Sequence, residues 1–166
     1  QSKGSIWTYS EPGVGTTFKI YFPRVDAAPD STPAVPSSTL TGTETILLVE
    51  DDAKVRQVAA MILRGSGYTV IEASNGEAAL LASEKVSGNF DLLVTDIVMP
   101  HMNGRDLADR LRRRSPGLKA LFMSGYTDDA ALRHGVLEHG MAFLQKPLTP
   151  DALARKVREI LDTPRG

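Results

Sequence analysis

The chain has 166 residues, enough for one ordinary domain and a remainder. Its composition, 42% hydrophobic and 23% charged with a formal net charge of −1, is that of a globular protein and argues against a surface built to neutralise a nucleic-acid backbone. The absence of cysteine excludes a disulfide framework, a thiolate metal centre and a thiol nucleophile, and no apolar run reaches the length needed to cross a bilayer.

In chain order, residues 1–24 contain two runs with β-type alternation, Gly4-Ser5-Ile6-Trp7-Thr8-Tyr9 and Thr16-Thr17-Phe18-Lys19-Ile20-Tyr21-Phe22. Pro12-Gly13-Val14-Gly15 between them supplies turn chemistry. An isolated hairpin is marginal in water, so this pair is expected to belong to a larger sheet, and the absence of an initiator Met fits a piece of a longer protein. Residues 25–44 then change character: three prolines and many Ser, Thr and Ala, with almost no large apolar side chains, predict a flexible linker. Some 20 residues of such chain span roughly 25 Å r.m.s..

From residue 45 the pattern becomes regular. Ile46-Leu47-Leu48-Val49, Thr69-Val70-Ile71, Leu92-Leu93-Val94, Ala120-Leu121-Phe122-Met123 and Ala142-Phe143-Leu144 read as five strands separated by stretches of helical spacing. Val55, Ala59, Ile62 and Leu63 recur on one helical face, Asn75-Gly76-Glu77 opens a second helix, and Thr149-Pro150 offers a cap followed by proline at the first helical position. Continuous apolar strands imply burial on both faces, hence a parallel sheet covered by helices and a doubly wound α/β fold. In such sheets ligands sit beyond the carboxyl ends of the strands.

Those ends carry chemistry: Glu50-Asp51-Asp52, Thr95-Asp96, Ser124-Gly125 and Lys146-Pro147. Carboxylates brought to one edge repel each other, and either raised pKa values or a hard divalent cation relieves this. Mg²⁺ takes one or two carboxylates and phosphate oxygens, so Asp51 and Asp96 as ligands leave room for a phosphoryl group. Lys146 supplies a mobile positive charge and Ser124 a hydroxyl.

This set, with Ile97-Val98-Met99-Pro100-His101-Met102-Asn103-Gly104 after the central aspartate, resembles the receiver domain of two-component response regulators over residues 45–163. The resemblance implies a flavodoxin-like, five-stranded parallel sheet. It makes Asp96 the phosphoacceptor, Asp51 a direct Mg²⁺ ligand, Glu50 a partner of the metal through water, and the backbone carbonyl of Val98 a further ligand, with Mn²⁺ able to substitute. Ser124 and Lys146 would hold phosphoryl oxygens, Phe143 would change rotamer with Ser124, and Lys146-Pro147 would be a cis peptide. Asp96 would attack phosphorus in line, and the product would shift the surface from Tyr126 to Leu144 between two states. Glu50 stands where Asp is commoner in the family. Val98, two residues after Asp96, offers no group to position water, which predicts slow self-dephosphorylation.

The first residues, from Gly4 to Phe18 with Gly13 and Gly15, resemble the end of the ATP-binding domain of sensor histidine kinases. Kinase tail, linker and receiver in that order describe the C-terminal part of a hybrid histidine kinase. The fragment would lack the kinase core and catalyse only its own phosphorylation and dephosphorylation. Expected partners are the phosphohistidine-bearing dimerisation domain, in the same or another chain, and a histidine phosphotransfer protein. No contact with nucleic acid or membrane is expected of this piece, and a cytoplasmic place, with any membrane anchor upstream, is implied.

Plainer readings stand beside these. Asp52 reads as a helix cap rather than a ligand. Phe143 could be ordinary core. His101, His134 and His139 lack metal-ligand spacing. Arg110, Arg112, Arg113 and Arg114 suit a helix C-terminus, and Met99, Met102 and Met123 fill gaps. Two rival functions remain: a receiver-like module that binds without phosphorylation, and an Mg²⁺-dependent aspartyl-phosphate hydrolase of the haloacid-dehalogenase kind. The hydrolase would need a second acid at the position of Val98.

Overall fold

The structure is a computed structural model and describes residues 5–13, 15–21, 40–86, 89–125 and 141–164. The chain separates into two compact units, residues 1–35 and 36–166.

In the first unit, β1 (Ser5–Glu11) pairs antiparallel with β2 (Gly15–Tyr21). Gly13 and Gly15 adopt the positive φ values of 80° and 132° that the reversal demands. Alternation places Ile6, Phe18 and Ile20 on one face and Trp7, Tyr9 and Lys19 on the other, with Ile6 opposite Ile20 and Trp7 opposite Lys19. All of these side chains are exposed.

The second unit contains β3 (Thr45–Val49), α1 (Ala53–Gly65), β4 (Thr69–Ala73), α2 (Gly76–Lys85), β5 (Leu92–Asp96), α3 (Gly104–Arg114), β6 (Lys119–Ser124), β7 (Ala142–Gln145) and α4 (Pro150–Asp162). The strands form one parallel sheet in the order β4-β3-β5-β6-β7, the doubly wound topology expected from the alternation of strands and helices. Successive strand residues feed opposite cores. Leu47, Val49, Leu93 and Phe122 meet Ala79, Leu107, Ala108 and Leu111 of α2 and α3. Ile46, Leu48, Leu92, Val94, Leu121 and Met123 meet Ala59, Leu63, Leu153 and Val157 of α1 and α4. Burial on both faces explains why these strands are apolar throughout.

Local chemistry starts each helix. Asp52 Oδ1 accepts the backbone N–H groups of Lys54 and Val55 at 2.7 and 3.0 Å, so Asp52 is the cap its position suggested. Asn75, Asn103 and Thr149 cap α2, α3 and α4 in the same way.

At the amino edge of the sheet the chain enters through a tight strap. Gly42 donates its N–H to the Ser66 carbonyl at 3.0 Å, and the Glu44 carbonyl accepts from Thr69 at 3.0 Å. Arg158 of α4 reaches over to Glu44 Oε1 at 2.7 Å, to Asp162 at 2.9 Å and to the buried Tyr68 hydroxyl at 3.5 Å. A side chain on Gly42 would strike Glu44, Tyr68 and Arg158. No helix of the described residues is long and apolar enough to cross a membrane.

Candidate functional site

Parallel register brings the carboxyl ends of β3, β5 and β6 together. Val49 lies opposite Thr95, and Asp96 opposite Met123, so Glu50, Asp96 and Ser124 each stand at or just beyond a strand end on the same edge. Lys146 follows β7 and is tied to this edge by its own N–H, which donates to the Ser124 carbonyl at 2.7 Å. The Lys146–Pro147 bond is cis.

Carboxylate oxygens of Glu50, Asp51 and Asp96 lie within 4.8 Å of one another. Glu50 and Asp96 are buried, at 1% and 7% exposure, whereas Asp51 faces solvent. Lys146 Nζ donates to Asp96 Oδ2 at 2.7 Å and lies 2.8 Å from Glu50 Oε2, a contact of charges rather than an aligned hydrogen bond. Asp96 Oδ1 is buried with no hydrogen-bond partner. Burial pushes the Glu50 carboxyl above the ordinary range, the neighbouring Asp96 charge adds to this, and the Lys146 ammonium opposes both. Burial also acts to lower the Lys146 pKa, but the two carboxylates outweigh it and the net shift is upward.

The donor set is all oxygen, with two buried carboxylates, one exposed carboxylate and an orphaned buried oxygen. Those are ligands for a hard divalent cation, and one lysine cannot neutralise three carboxylates. The acidic cluster therefore fits Mg²⁺.

The remaining sequence-selected residues fall around this centre. Ser124 is 1% exposed at the end of β6. Phe143 pairs with Phe122 in register on the edge strand β7 and is 44% exposed. Val98 lies in the loop after Asp96 with a 55% exposed side chain. His101, in the same loop, takes a positive φ of 67°, a conformation histidine tolerates better than most residues. His134, His139 and the stretch from Tyr126 to Gly140 lie outside the described residues.

Support that sequence reasoning missed comes from three residues. Arg56 Nη1 donates to the Glu50 carbonyl at 2.7 Å and fixes the backbone of that acid. Thr95 Oγ1 donates to the Asp96 carbonyl at 3.0 Å. Gly104 donates its N–H to Ile97 at 2.9 Å and presses so closely on Asp96 that any Cβ would collide with the Asp96 carbonyl oxygen. The Asn103-Gly104 pair at a helix start was the available signal for the last of these.

The response regulator receiver domain family matches residues 46–158, and the chain belongs to that family. It is 39% identical to the sensor kinase CckA of Brucella abortus over 98% of this chain and 18% of that protein, an alignment that takes in the hairpin as well as the receiver. A solved receiver domain from a hybrid histidine kinase CckA superposes with a TM-score of 0.60 at 36% identity, over 71% of this chain and 99% of that one. A putative response regulator from Chloroflexus aurantiacus gives 0.64 at 33% identity, over 74% and 100%. The chain spans less than a third of the sensor kinase and of the cyclic di-GMP phosphodiesterase of Thermotoga maritima, which it matches at 31% identity over 31% of that protein's length. It carries a receiver domain of a two-component system.

Proposed function

We propose that Asp96 takes a phosphoryl group from a phosphohistidine, and that this receiver is the last module of a hybrid sensor histidine kinase. The observation that carries the reading is the state of Asp96. Its Oδ2 is held by Lys146 at 2.7 Å, its Oδ1 is buried and unpaired, and the residue shares with Glu50 and Asp51 a cluster of carboxylate oxygens within 4.8 Å of one another. A carboxylate so placed has one oxygen anchored and one available as nucleophile.

In the transfer, the bond from Asp96 Oδ1 to phosphorus forms as the bond from the donor imidazole nitrogen breaks, and the nitrogen keeps the electron pair. Glu50, Asp51, Asp96 and the Val98 carbonyl would hold Mg²⁺, or Mn²⁺ in its place, which supplies charge neutralisation of the phosphoryl oxygens. Lys146 exchanges Asp96 Oδ2 for a phosphoryl oxygen, and the Ser124 hydroxyl donates to another. The movement of Ser124 frees space toward Phe143, whose half-exposed ring is the element able to change rotamer and carry the state outward.

The division we propose is a kinase-domain remnant at 1–24, a linker that starts at 25 and ends in the Leu40–Glu44 strap, and the receiver at 45–163. The donor is a phosphohistidine-bearing helical domain of the same or another chain, a histidine phosphotransfer protein is a second partner, and the compartment is the cytoplasm. The alignment with a sensor kinase across the whole chain supports this arrangement.

Incubation with acetyl phosphate and Mg²⁺, followed by mass analysis, tests the assignment. A single label on the native chain, absent from Asp96→Asn, is expected. Absence of any label would favour a module that binds without phosphorylation, and sustained turnover of phosphate esters would favour a hydrolase.

A further inference from the structure

Lys146 stands between two buried carboxylates rather than on one. Its Nζ is 2.7 Å from Asp96 Oδ2 and 2.8 Å from Glu50 Oε2, and Glu50 is 1% exposed. The backbone of Glu50 is pinned on both sides, its N–H donating to Ala73 at 3.2 Å and its carbonyl accepting from Arg56 at 2.7 Å. The extra methylene of glutamate over aspartate therefore extends the carboxylate itself into the crevice.

We propose that Glu50 is a positioning residue for Lys146. Its carboxylate holds the ammonium on the Oδ2 side of Asp96, so that Oδ1 is the oxygen left facing the divalent cation and phosphorus. The inference rests on the phosphoacceptor reading and adds to it a division of labour among the acids. Asp51 and Asp96 Oδ1 address the cation directly, whereas the charge of Glu50 is committed first to Lys146.

An energetic coupling follows. With Lys146 present, the Glu50 carboxylate is held at the ammonium, 2.8 Å away, and is kept from turning onto an incoming divalent cation. With Lys146 removed, that carboxylate is free to swing onto the cation, and the repulsion between ammonium and cation disappears as well. The two residues must then fail to act additively on cation affinity.

Calorimetric titration of the 166-residue chain with MgCl2 at fixed pH and ionic strength is the test. It compares the native protein, Glu50→Gln, Lys146→Met and the double variant. Lys146→Met should tighten Mg²⁺ by about 10-fold, and Glu50→Gln should weaken it by about 10-fold more in the Lys146→Met background than in the native one. Effects that multiply independently, within about threefold, overturn the proposal.

Should Lys146→Met fail to fold by circular dichroism, the Lys146 ammonium resonance decides the matter. Held between two carboxylates, its protons should exchange slowly in the native chain and measurably faster in Glu50→Gln. Equal exchange overturns the proposal. A native chain that takes up neither Mg²⁺ nor a label from acetyl phosphate removes the underlying phosphoacceptor reading, whereas uptake of both with independent effects removes only the role given to Glu50.

Discussion

Two glutamates bracket the same strand and meet opposite fates. Glu44, just before β3, gives one oxygen to the Arg158 guanidinium at 2.7 Å, and that hydrogen bond holds its carboxyl below the ordinary range. Glu50, just after β3, is more deeply buried, shares a single ammonium with Asp96, and is driven above that range. Arginine, a planar fork of several donors, gives separate charged hydrogen bonds to Glu44 and to the exposed Asp162, whereas lysine, a point charge between two buried carboxylates, leaves the Glu50 charge undercompensated. One end of the strand spends its charges on holding the fold, and the other keeps them in tension for chemistry.

The sharpest test of the chemical end is its glycine. At Gly104 a methyl group would meet backbone, the Asp96 carbonyl, with Thr95 Cγ2 and Oγ1 at 3.0 Å behind it. Neither neighbour can yield, and Gly104→Ala is expected to cost about 3 kcal/mol, a fall of roughly 10 °C in thermal midpoint. A loss below about 1 kcal/mol would mean that the loop after β5 yields freely.

The amino end should respond less. Arg158→Met removes the guanidinium that links Glu44 and Tyr68, and is expected to destabilise the receiver by about 1.5 kcal/mol in urea unfolding. The rate at which acetyl phosphate labels Asp96 should stay at its native value, since Arg158 lies at the opposite edge of the sheet. A large fall in labelling by a variant that remains folded would show that the two ends are not independent.

At the site itself a surface change should alter kinetics without altering stability. Val98 presents a 55% exposed apolar side chain beside the acceptor loop, with nothing to orient water for attack on an acyl phosphate. Val98→Asn supplies such a group, and the phospho-Asp96 half-life is expected to shorten about fivefold, worth roughly 1 kcal/mol in the barrier. An unchanged half-life would remove the assignment of slow turnover to this residue.

How far the sequence reveals this division differs from element to element. The strands were legible because both faces of each are buried, but Thr69–Ile71 was read two residues short of β4. The missing part includes Glu72, a polar residue on an edge strand that Arg56 and Arg64 hold at 3.7 and 2.9 Å, and no local pattern announces such distant partners. The carboxylates and Lys146 were legible because a parallel sheet delivers its strand ends to one edge.

The strap was not legible, since composition assigns Leu40–Glu44 to the linker. Composition cannot see Gly42 tucked beneath Arg158 or an ion pair between residues 44 and 158. Nor can spacing reveal how far a side chain reaches. Glu50 was read as facing a metal through water, and the contact at 2.8 Å with Lys146 emerges only in three dimensions.

The smallest effect carries the opposed signs of the two glutamates. Glu44 titrates below its unfolded value of 4.5, so just below that pH the unfolded chain binds more protons than the folded one. Its contribution is present above about pH 4.5 and fades as the pH falls through the lowered value. Glu50 titrates above 4.5, so between 4.5 and its raised value the folded chain binds more protons, and its contribution declines as the pH rises through that window. Urea midpoints measured from pH 3 to 7 should therefore flatten on the acid side in Glu44→Gln and on the neutral side in Glu50→Gln, each by under about 1 kcal/mol. If both substitutions flatten the same limb, the two ends of β3 do not carry opposite electrostatic loads, and the contrast between a structural and a chemical edge fails.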